Sequence, residues 1–284
     1  MNRPVITLLT DFGMSDHYVG AMKGVMLGIC PEALLVDITH DIRPYGIGDA
    51  AFTLSQSWPY FPAGTVHLVV VDPGVGSSRR PILAEAGGHL FVAPDNGVLT
   101  LVRSAGQDFR AREISAARFY RRPLSRTFHG RDIFAPAAAH LAAGVPAGEF
   151  GGEIDYVVLL PDTRPVRKEP GVWTGAVLRI DRFGNIVTGF GQDGFPEIAR
   201  TAFELRIGSA VVTRYRPDYA SSDPAEIFLI NGSSGYLEVS MNQRDAAGFL
   251  GIAPGARVEL RLPTAQQSSG VPAQGPRTGT ESES

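Results

Sequence analysis

The stretch Val66-His67-Leu68-Val69-Val70-Val71-Asp72-Pro73-Gly74-Val75-Gly76 decides the fold of the first half of the chain. Its first six residues are apolar except for His67, and such a short continuous run predicts a strand buried on both faces. The run ends at Asp72, where a turn rich in glycine and proline begins. Similar apolar runs on either side predict further strands at residues 5–10, 34–38, 82–86 and 90–93.

Segments with helical spacing of their apolar residues alternate with these strands, at residues 18–29, 47–58 and 132–143. Buried strands that alternate with helices are typical of an α/β layered domain. The sequence therefore predicts an α/β N-terminal domain with a largely parallel sheet at residues 1–160.

The second half of the chain has a different pattern. Residues 161–171 combine proline with charged residues, which is typical of an interdomain linker. Residues 172–263 contain apolar runs with a period of two, separated by glycine, asparagine and proline, and predict a smaller antiparallel all-β domain. Residues 264–284 have almost no aliphatic side chains, so we predict a disordered tail there.

Composition limits the function classes. The chain has 284 residues, a formal net charge of −3 and a single cysteine, Cys30. The charge argues against a nucleic-acid scaffold, and one cysteine excludes an intrachain disulfide and a site with two cysteine ligands. The apolar run before Asp11 is short for a secretion signal, and no run reaches about 18 residues, so a soluble cytoplasmic protein is expected.

Polar side chains follow two of the predicted strands. Asp11 comes after the strand at 5–10 and Asp72 after the strand at 66–71, where open α/β sheets bind ligands. A second interpretation is that both carboxylates only stabilise turns.

His129, in a loop before an alanine-rich helix, is a candidate catalytic group. The arginines of segment 118–131 favour a solvated face or a subunit contact.

Five motifs occur in order along the chain: Thr10-Asp11-Phe12-Gly13, Asp72-Pro73-Gly74-Val75-Gly76-x-x-Arg79, Pro94-Asp95-Asn96-Gly97, Phe128-His129-Gly130-Arg131-Asp132 and Asp181-x-Phe183-Gly184-Asn185. Over residues 5–262 they resemble the S-adenosyl-L-methionine hydroxide adenosyltransferase family, relatives of the fluorinase and the chlorinase. The resemblance implies a homotrimer, with each active site between the N-terminal domain of one subunit and the C-terminal domain of its neighbour. It also implies hydrolysis of S-adenosyl-L-methionine to adenosine and L-methionine, with no cofactor or metal.

The resemblance assigns a role to individual residues. It implies a catalytic set of Asp72, Arg79 and His129, which would hold a water in line with the ribose C5′ and assist its deprotonation. The implied substrate contacts are Asp11 for the ribose hydroxyls, Tyr45 for the pocket wall, Asp181 for the methionine ammonium, Asn185 and the Asn242–Gln243 region for adenine, and Ser233 and Ser234 for the amino-acid part.

Other functions remain open at the level of sequence. A halide-dependent adenosyltransferase is one, although the halogenating branch of the family replaces the equivalents of Asp72 and His129, which favours water here. A metal hydrolase could be imagined from Asp11, His40, Asp41, Asp72 and His129, without a recognisable ligand spacing. The third alternative is a protein that binds adenosine or S-adenosylmethionine without catalysis. The motifs at 181–185 and 231–236 have a purely structural interpretation as well, as ordinary hairpin turns.

Overall fold

The computed structural model describes residues 3–105 and 108–263 of the chain. They form two compact units that divide between Asp162 and Thr163. The predicted tail at 264–284 lies outside the described residues. Among the described residues, none of the helices has the length and apolar character required to cross a membrane.

The first unit contains six strands and four α-helices: β1 (Val5–Thr10), α1 (Tyr18–Ile29), β2 (Leu34–Thr39), α2 (Ile47–Ser57), β3 (Val66–Val70), β4 (Pro81–Ala86), β5 (His89–Pro94), α3 (Thr100–Ala105), β6 (Arg110–Glu113) and α4 (Ala135–Ala142). A π-helical turn at Gly130–Phe134 leads directly into α4. The strand order in the sheet is β2-β1-β3-β5-β4-β6.

This sheet is mixed, so the prediction of a largely parallel sheet is not confirmed. The pairs β2–β1, β1–β3 and β3–β5 are parallel, whereas β5–β4 and β4–β6 are antiparallel. The physical reason lies in the turn between β4 and β5, where Gly87 and Gly88 both have positive φ. Two such glycines form a tight hairpin, and a hairpin pairs its strands antiparallel.

Strand β3 lies between two layers of helices, and every one of its residues is buried. Leu68 and Val70 pack into an apolar cluster with residues of α1 and α4, while Val69 and Val71 pack into a second cluster with residues of α2. Alternate side chains of the strand thus point into opposite helical layers. Since β1 and β3 are adjacent and parallel, the residues that follow them, Asp11 and Asp72, lie at the same edge of the sheet.

The second unit is a barrel-like antiparallel sheet of eight strands: β7 (Val166–Glu169), β8 (Val172–Ile180), β9 (Ile186–Gly191), β10 (Glu204–Ile207), β11 (Ala210–Val212), β12 (Ile227–Asn231), β13 (Tyr236–Met241) and β14 (Arg257–Arg261). One short helix, α5 (Ala246–Leu250), precedes β14. The order is β11-β10-β14-β8-β9-β13-β12, with β7 on β8, and a bridge from Tyr215 to Leu229 joins the segment after β11 to β12.

Two segments of this unit differ in detail from their sequence patterns. The segment 161–171, predicted as a linker, contains β7, which pairs with β8. The apolar pattern of residues 203–212 predicts one strand, but the structure has a hairpin of β10 and β11 there, because Gly208 adopts a positive φ of 57° and reverses the chain.

Candidate active site

Asp72, Arg79 and His129 form one hydrogen-bonded set. Arg79 donates from Nε to Asp72 Oδ1 at 2.9 Å and from Nη2 to Asp72 Oδ2 at 2.5 Å. The same Nη2 lies 2.8 Å from Nδ1 of His129. The side chains of Arg79 and Asp72 are only 9% and 5% exposed. The structure therefore brings together all three residues of the predicted catalytic set, although 50 residues separate Arg79 from His129.

The hydrogen bond from Arg79 determines which nitrogen of His129 carries a proton. A guanidinium can only donate, so Nδ1 of His129 accepts, and the proton of the neutral ring is on Nε2. Burial, and then the charge of Arg79, lower the pKa of His129 from the usual 6.5, which keeps the ring neutral at pH 7. His129 in this arrangement offers an N–H donor from Nε2.

The loop after β3 is held against the segment that leads to His129. Gly76 has a φ of +79°, and a Cβ on it would lie 2.6 Å from the carbonyl oxygen of Arg126. Only glycine permits both this conformation and this close approach. The loop that carries Asp72 and Arg79 is thereby fixed relative to the segment that ends in His129.

Asp132 anchors the other side of His129. Its fully buried carboxylate accepts hydrogen bonds from Arg131 Nε at 2.7 Å and from the backbone N–H of Ser125 at 2.8 Å. Burial raises the pKa of Asp132, but the hydrogen bonds from Arg131 and Ser125 lower it, and the net pKa is below its usual value. The segment around His129 is thus tied down by an ionised carboxylate inside the unit.

A cleft of about 280 Å³ lies beside this set and contains both strand-end carboxylates. Its lining residues are Asp11, Phe12, Tyr18, Pro44, Tyr45, Asp72 and Val75. Asp11 Oδ2 accepts a hydrogen bond of 2.8 Å from the backbone N–H of Tyr45, which has a left-handed φ of 67°. Asp11 and Tyr45, both predicted to contact the substrate, therefore face the same space as Asp72.

The second unit carries a larger cavity of about 650 Å³. It is lined by Asp181, Phe183, Asn185, Tyr219, Ser233, Glu238, Met241, Asn242, Gln243, Arg244 and Asp245. Of the substrate contacts predicted in the second half of the chain, five line this one cavity: Asp181, Asn185, Ser233, Asn242 and Gln243. Ser234 lies beside it and donates from Oγ to Glu238 Oε1 at 3.1 Å.

The hairpin interpretation of the 181–185 motif also has support. Asp181 Oδ1 accepts hydrogen bonds from the backbone N–H of Phe183 at 2.9 Å and of Asn185 at 2.8 Å, and Oδ2 accepts from Asn185 Nδ2 at 2.8 Å. The motif is a turn between β8 and β9 and lines the cavity as well, so the two interpretations are compatible.

Sequence reasoning missed six lining residues of this cavity: Phe183, Tyr219, Glu238, Met241, Arg244 and Asp245. Phe183 lies within the 181–185 motif, where an aromatic residue in a turn is the available sequence signal, and the structure shows its side chain 77% exposed. Tyr219 lies in an irregular segment with no pattern. Glu238 occupies a polar position in the alternating run of β13, and only the structure shows that this face of the strand is buried as well.

The imagined metal site is not formed. Within residues 3–105 and 108–263, no three His, Cys, Asp or Glu side chains are grouped so that they could hold a metal ion. His40, one member of that hypothesis, has its Nδ1 2.8 Å from Thr10 Oγ1 and its Nε2 3.0 Å from Asp37 Oδ1. His40 therefore contacts Thr10, the residue that precedes Asp11, and is not grouped with Asp72.

Comparison with known proteins decides the family. The model of the SAM hydroxide adenosyltransferase N-terminal domain matches residues 6–151, and that of the C-terminal domain matches residues 175–259. The chain belongs to the SAM hydroxide adenosyltransferase family. This confirms the resemblance that the five ordered motifs indicated.

Individual relatives are similar to this chain along most of its length. The (R)-S-adenosyl-L-methionine hydrolase of Salinispora tropica is 37% identical over 259 residues, covering 90% of this chain and 97% of the relative. The fluorinase of Nocardia brasiliensis is 28% identical over 292 residues, covering 92% and 97%. A crystal structure of an uncharacterized conserved protein from Thermotoga maritima superimposes with a TM-score of 0.84 at 36% identity, covering 90% of this chain and 99% of that one.

Proposed function

We propose that this chain hydrolyses (R)-S-adenosyl-L-methionine to adenosine and L-methionine. Curated relatives at 36–37% identity over most of the chain bear the name of that hydrolase. The observation that carries the proposal is the hydrogen-bonded set of Asp72, Arg79 and His129, because the halogenating branch replaces the equivalents of Asp72 and His129.

The proposed reaction is a displacement at the ribose C5′. The water oxygen forms a bond to C5′ while the C5′–S bond breaks, and the electron pair leaves with sulfur as the neutral thioether of methionine. Sulfur therefore needs no general acid. The attacking oxygen becomes strongly acidic as its bond to carbon forms, and its proton passes to solvent water.

The three side chains supply position and electrostatics for that step. The N–H on Nε2 of His129 is suited to hold the water oxygen, and the positive charge of Arg79 favours loss of the proton from that oxygen. Asp72 fixes the guanidinium. The hydrogen bond at Nδ1 supports His129 as a donor that orients the nucleophile, rather than as the general base that the sequence alone also allowed. Holding the water at about 3–3.5 Å from C5′ lowers the barrier by several kcal/mol through orientation alone.

The substrate contacts follow the two cavities. In the first unit, the two oxygens of Asp11 suit the paired ribose hydroxyls, and Tyr45 covers the sugar. In the second unit, Asp181 and Ser233 would contact the methionine part, and Asn185 and Asn242 the adenine.

The finer proposals concern assembly and location. We propose a homotrimer, because the predicted substrate contacts are divided between two units and the family resemblance implies an assembly that joins them. We also propose a cytoplasmic location, where S-adenosyl-L-methionine would be available. Light scattering with detection of mass measures the assembly directly, and a monomeric enzyme with full activity would contradict it.

The experiment that tests the function is hydrolysis in water enriched in ¹⁸O. The purified chain is incubated with (R)-S-adenosyl-L-methionine, and the nucleoside product is analysed by mass spectrometry. We expect adenosine that carries one ¹⁸O atom on its 5′ carbon, together with L-methionine. Unlabelled adenosine, or no adenosine on long incubation, would contradict the proposal, the second result favouring a binding protein.

Two further arms separate the alternatives. Added chloride or fluoride should leave adenosine as the product, and formation of a 5′-halogenated nucleoside would favour the halide-dependent reaction. Asp72→Asn and His129→Ala should each slow turnover by about 100-fold or more, as expected when a group that orients or stabilises the nucleophile is removed.

A further inference from the structure

Glu238 is a buried carboxyl group in the wall of the cavity of the second unit. It lies on β13, is 6% exposed and lines the cavity together with Asp181 and Ser233. Its carboxyl packs directly on Gly232, where a Cβ would come within 1.9 Å of Oε1. A glutamate is rarely buried in this way without a partner.

Only one oxygen of this carboxyl has a partner. Oε1 accepts the hydrogen bond from Ser234 at 3.1 Å. In the described part of the chain Oε2 has no hydrogen-bond partner and no cationic side chain forms an ion pair with Glu238, and Oε2 is not fully enclosed. The second oxygen is therefore open to the cavity and lacks a compensating charge.

We propose that Glu238 binds the ammonium group of the substrate's amino-acid part, as a second carboxylate beside Asp181. This inference rests on the proposed function, which places an amino acid in this cavity. A cation at Oε2 would compensate a carboxylate that the fold leaves unpaired, and two carboxylates on one ammonium fix its orientation better than one. The sequence motifs do not assign this residue a role.

Binding of the ammonium should be coupled to loss of a proton from Glu238. Burial raises the pKa of Glu238, the charge of Asp181 raises it further, and the hydrogen bond from Ser234 lowers it, with the net effect upward from 4.5. The other titratable or charged groups that line the cavity are Tyr219, Arg244 and Asp245. In acidic solution the free enzyme therefore holds a proton on Glu238, and an arriving cation expels it.

The test is calorimetric titration of the adenosine-saturated protein with L-methionine between pH 5 and 8, in two buffers of different ionisation enthalpy. For the wild-type protein we expect proton release at the acidic end, and an affinity that rises with pH and then levels off. Glu238→Gln should abolish the proton release and weaken binding at pH 7 by about tenfold, as expected for loss of a charge-assisted hydrogen bond. The matched control is Glu204→Gln, an exposed glutamate on β10 paired with Arg206, which should behave as the wild type.

A second variant keeps the test informative if Glu238→Gln is unstable. Ser234→Ala removes the hydrogen bond that lowers the pKa of Glu238 and leaves the carboxyl in place, so proton release should persist and move to higher pH. The inference is overturned if the wild-type protein forms adenosine yet binds L-methionine with no proton release. It is also overturned if Glu238→Gln binds as tightly as the wild type. Absence of adenosine formation is a different result, which overturns the proposed function itself.

Discussion

Arg79 is the residue on which the geometry of the catalytic set depends. Its Nε and Nη2 both contact Asp72, and Nη2 also contacts His129. The guanidinium lies over the ring of Phe134, 5.0 Å from its centre, and this contact fixes its plane. A planar group with several donors can bridge an acid and an imidazole, whereas an ammonium is a point charge on a flexible stem.

Replacement of Arg79 by lysine tests this bridge. Arg79→Lys keeps the positive charge and loses the simultaneous contacts, so the water is no longer held in line. We expect kcat to fall by about 100-fold or more while KM changes by less than about threefold, because the loss concerns the transition state. Steady-state kinetics of adenosine formation measure both constants.

The adjacent arginine provides the matched control. Arg80 also pairs with an aspartate, Asp95, at 2.5 Å, but it stacks on Tyr156 and does not contact His129. Arg80→Lys should retain kcat within about threefold, since its effect is limited to stability. Equal losses of kcat in the two variants would contradict the assigned role of Arg79.

At the scale of elements, the loop between β3 and β4 joins the sheet to the segment that ends in His129. Its contact point is Gly76, where a positive φ and the carbonyl of Arg126 exclude a side chain. Gly76→Ala should therefore strain the backbone and also displace the loop. We expect a loss of about 2–4 kcal/mol in the free energy of unfolding, measured by denaturant titration, together with a fall in kcat.

Gly64→Ala separates these two effects. Gly64 has a similar φ of +83°, but a Cβ there would meet nothing within 4 Å. This control should lose only about 1 kcal/mol of stability from backbone strain and keep its kcat. If both variants lose the same stability and activity, the contact with Arg126 does not hold the catalytic loop.

The same elements indicate how far sequence reasoning reaches. The existence of strands β3, β8 and β13 followed from their apolar patterns, which are continuous in β3 and alternating in β8 and β13. The direction of β4 did not follow, since it depends on a two-glycine turn whose hairpin geometry overrides the alternation of strands and helices. The segment 161–171 has the composition of a linker, but part of it forms strand β7 because its backbone pairs with β8.

The candidate site was likewise predictable only in part from the sequence. Motifs predicted Asp72, Arg79 and His129 as members of one site, but the bridging hydrogen bonds and the resulting tautomer of His129 depend on tertiary packing. Glu238 was not predicted, because an alternating run tolerates a polar residue at any position facing water. Its burial is set by the contact with Gly232, which only the folded hairpin creates.

At the scale of the whole molecule, buried histidines make stability depend on pH. His67 on β3 is fully buried, its Nδ1 lies 2.8 Å from Thr7 Oγ1, and its Nε2 lies 3.1 Å from His89 Nδ1. Burial, and then the charge of His89, lower the pKa of His67 to about 3. The unfolded chain binds a proton to this ring below about pH 6.5 and the folded chain does not, so stability falls as pH decreases from 6.5 towards 3.

Replacement of His67 by phenylalanine should flatten this dependence. Phenylalanine can keep the stacking on Phe91, whose ring lies 4.9 Å from that of His67, but it leaves Thr7 and His89 without their partners. We expect His67→Phe to be less stable at pH 7 by about 1–3 kcal/mol, and its free energy of unfolding to fall less steeply between pH 6 and 4, by up to about 1.4 kcal/mol per pH unit. The two stability curves should therefore converge in acid.

The two tryptophans of the chain, Trp58 and Trp173, lie in different units, which makes the measurement specific. In a Trp173→Phe background, fluorescence reports only Trp58, whose ring lies 5.0 Å from that of His89. His17→Phe, a change at an exposed histidine of the same unit, should leave the slope unchanged. Parallel stability curves for His67→Phe and its parent would show that His67 titrates alike in the folded and unfolded chains, against the burial that the sheet imposes on it.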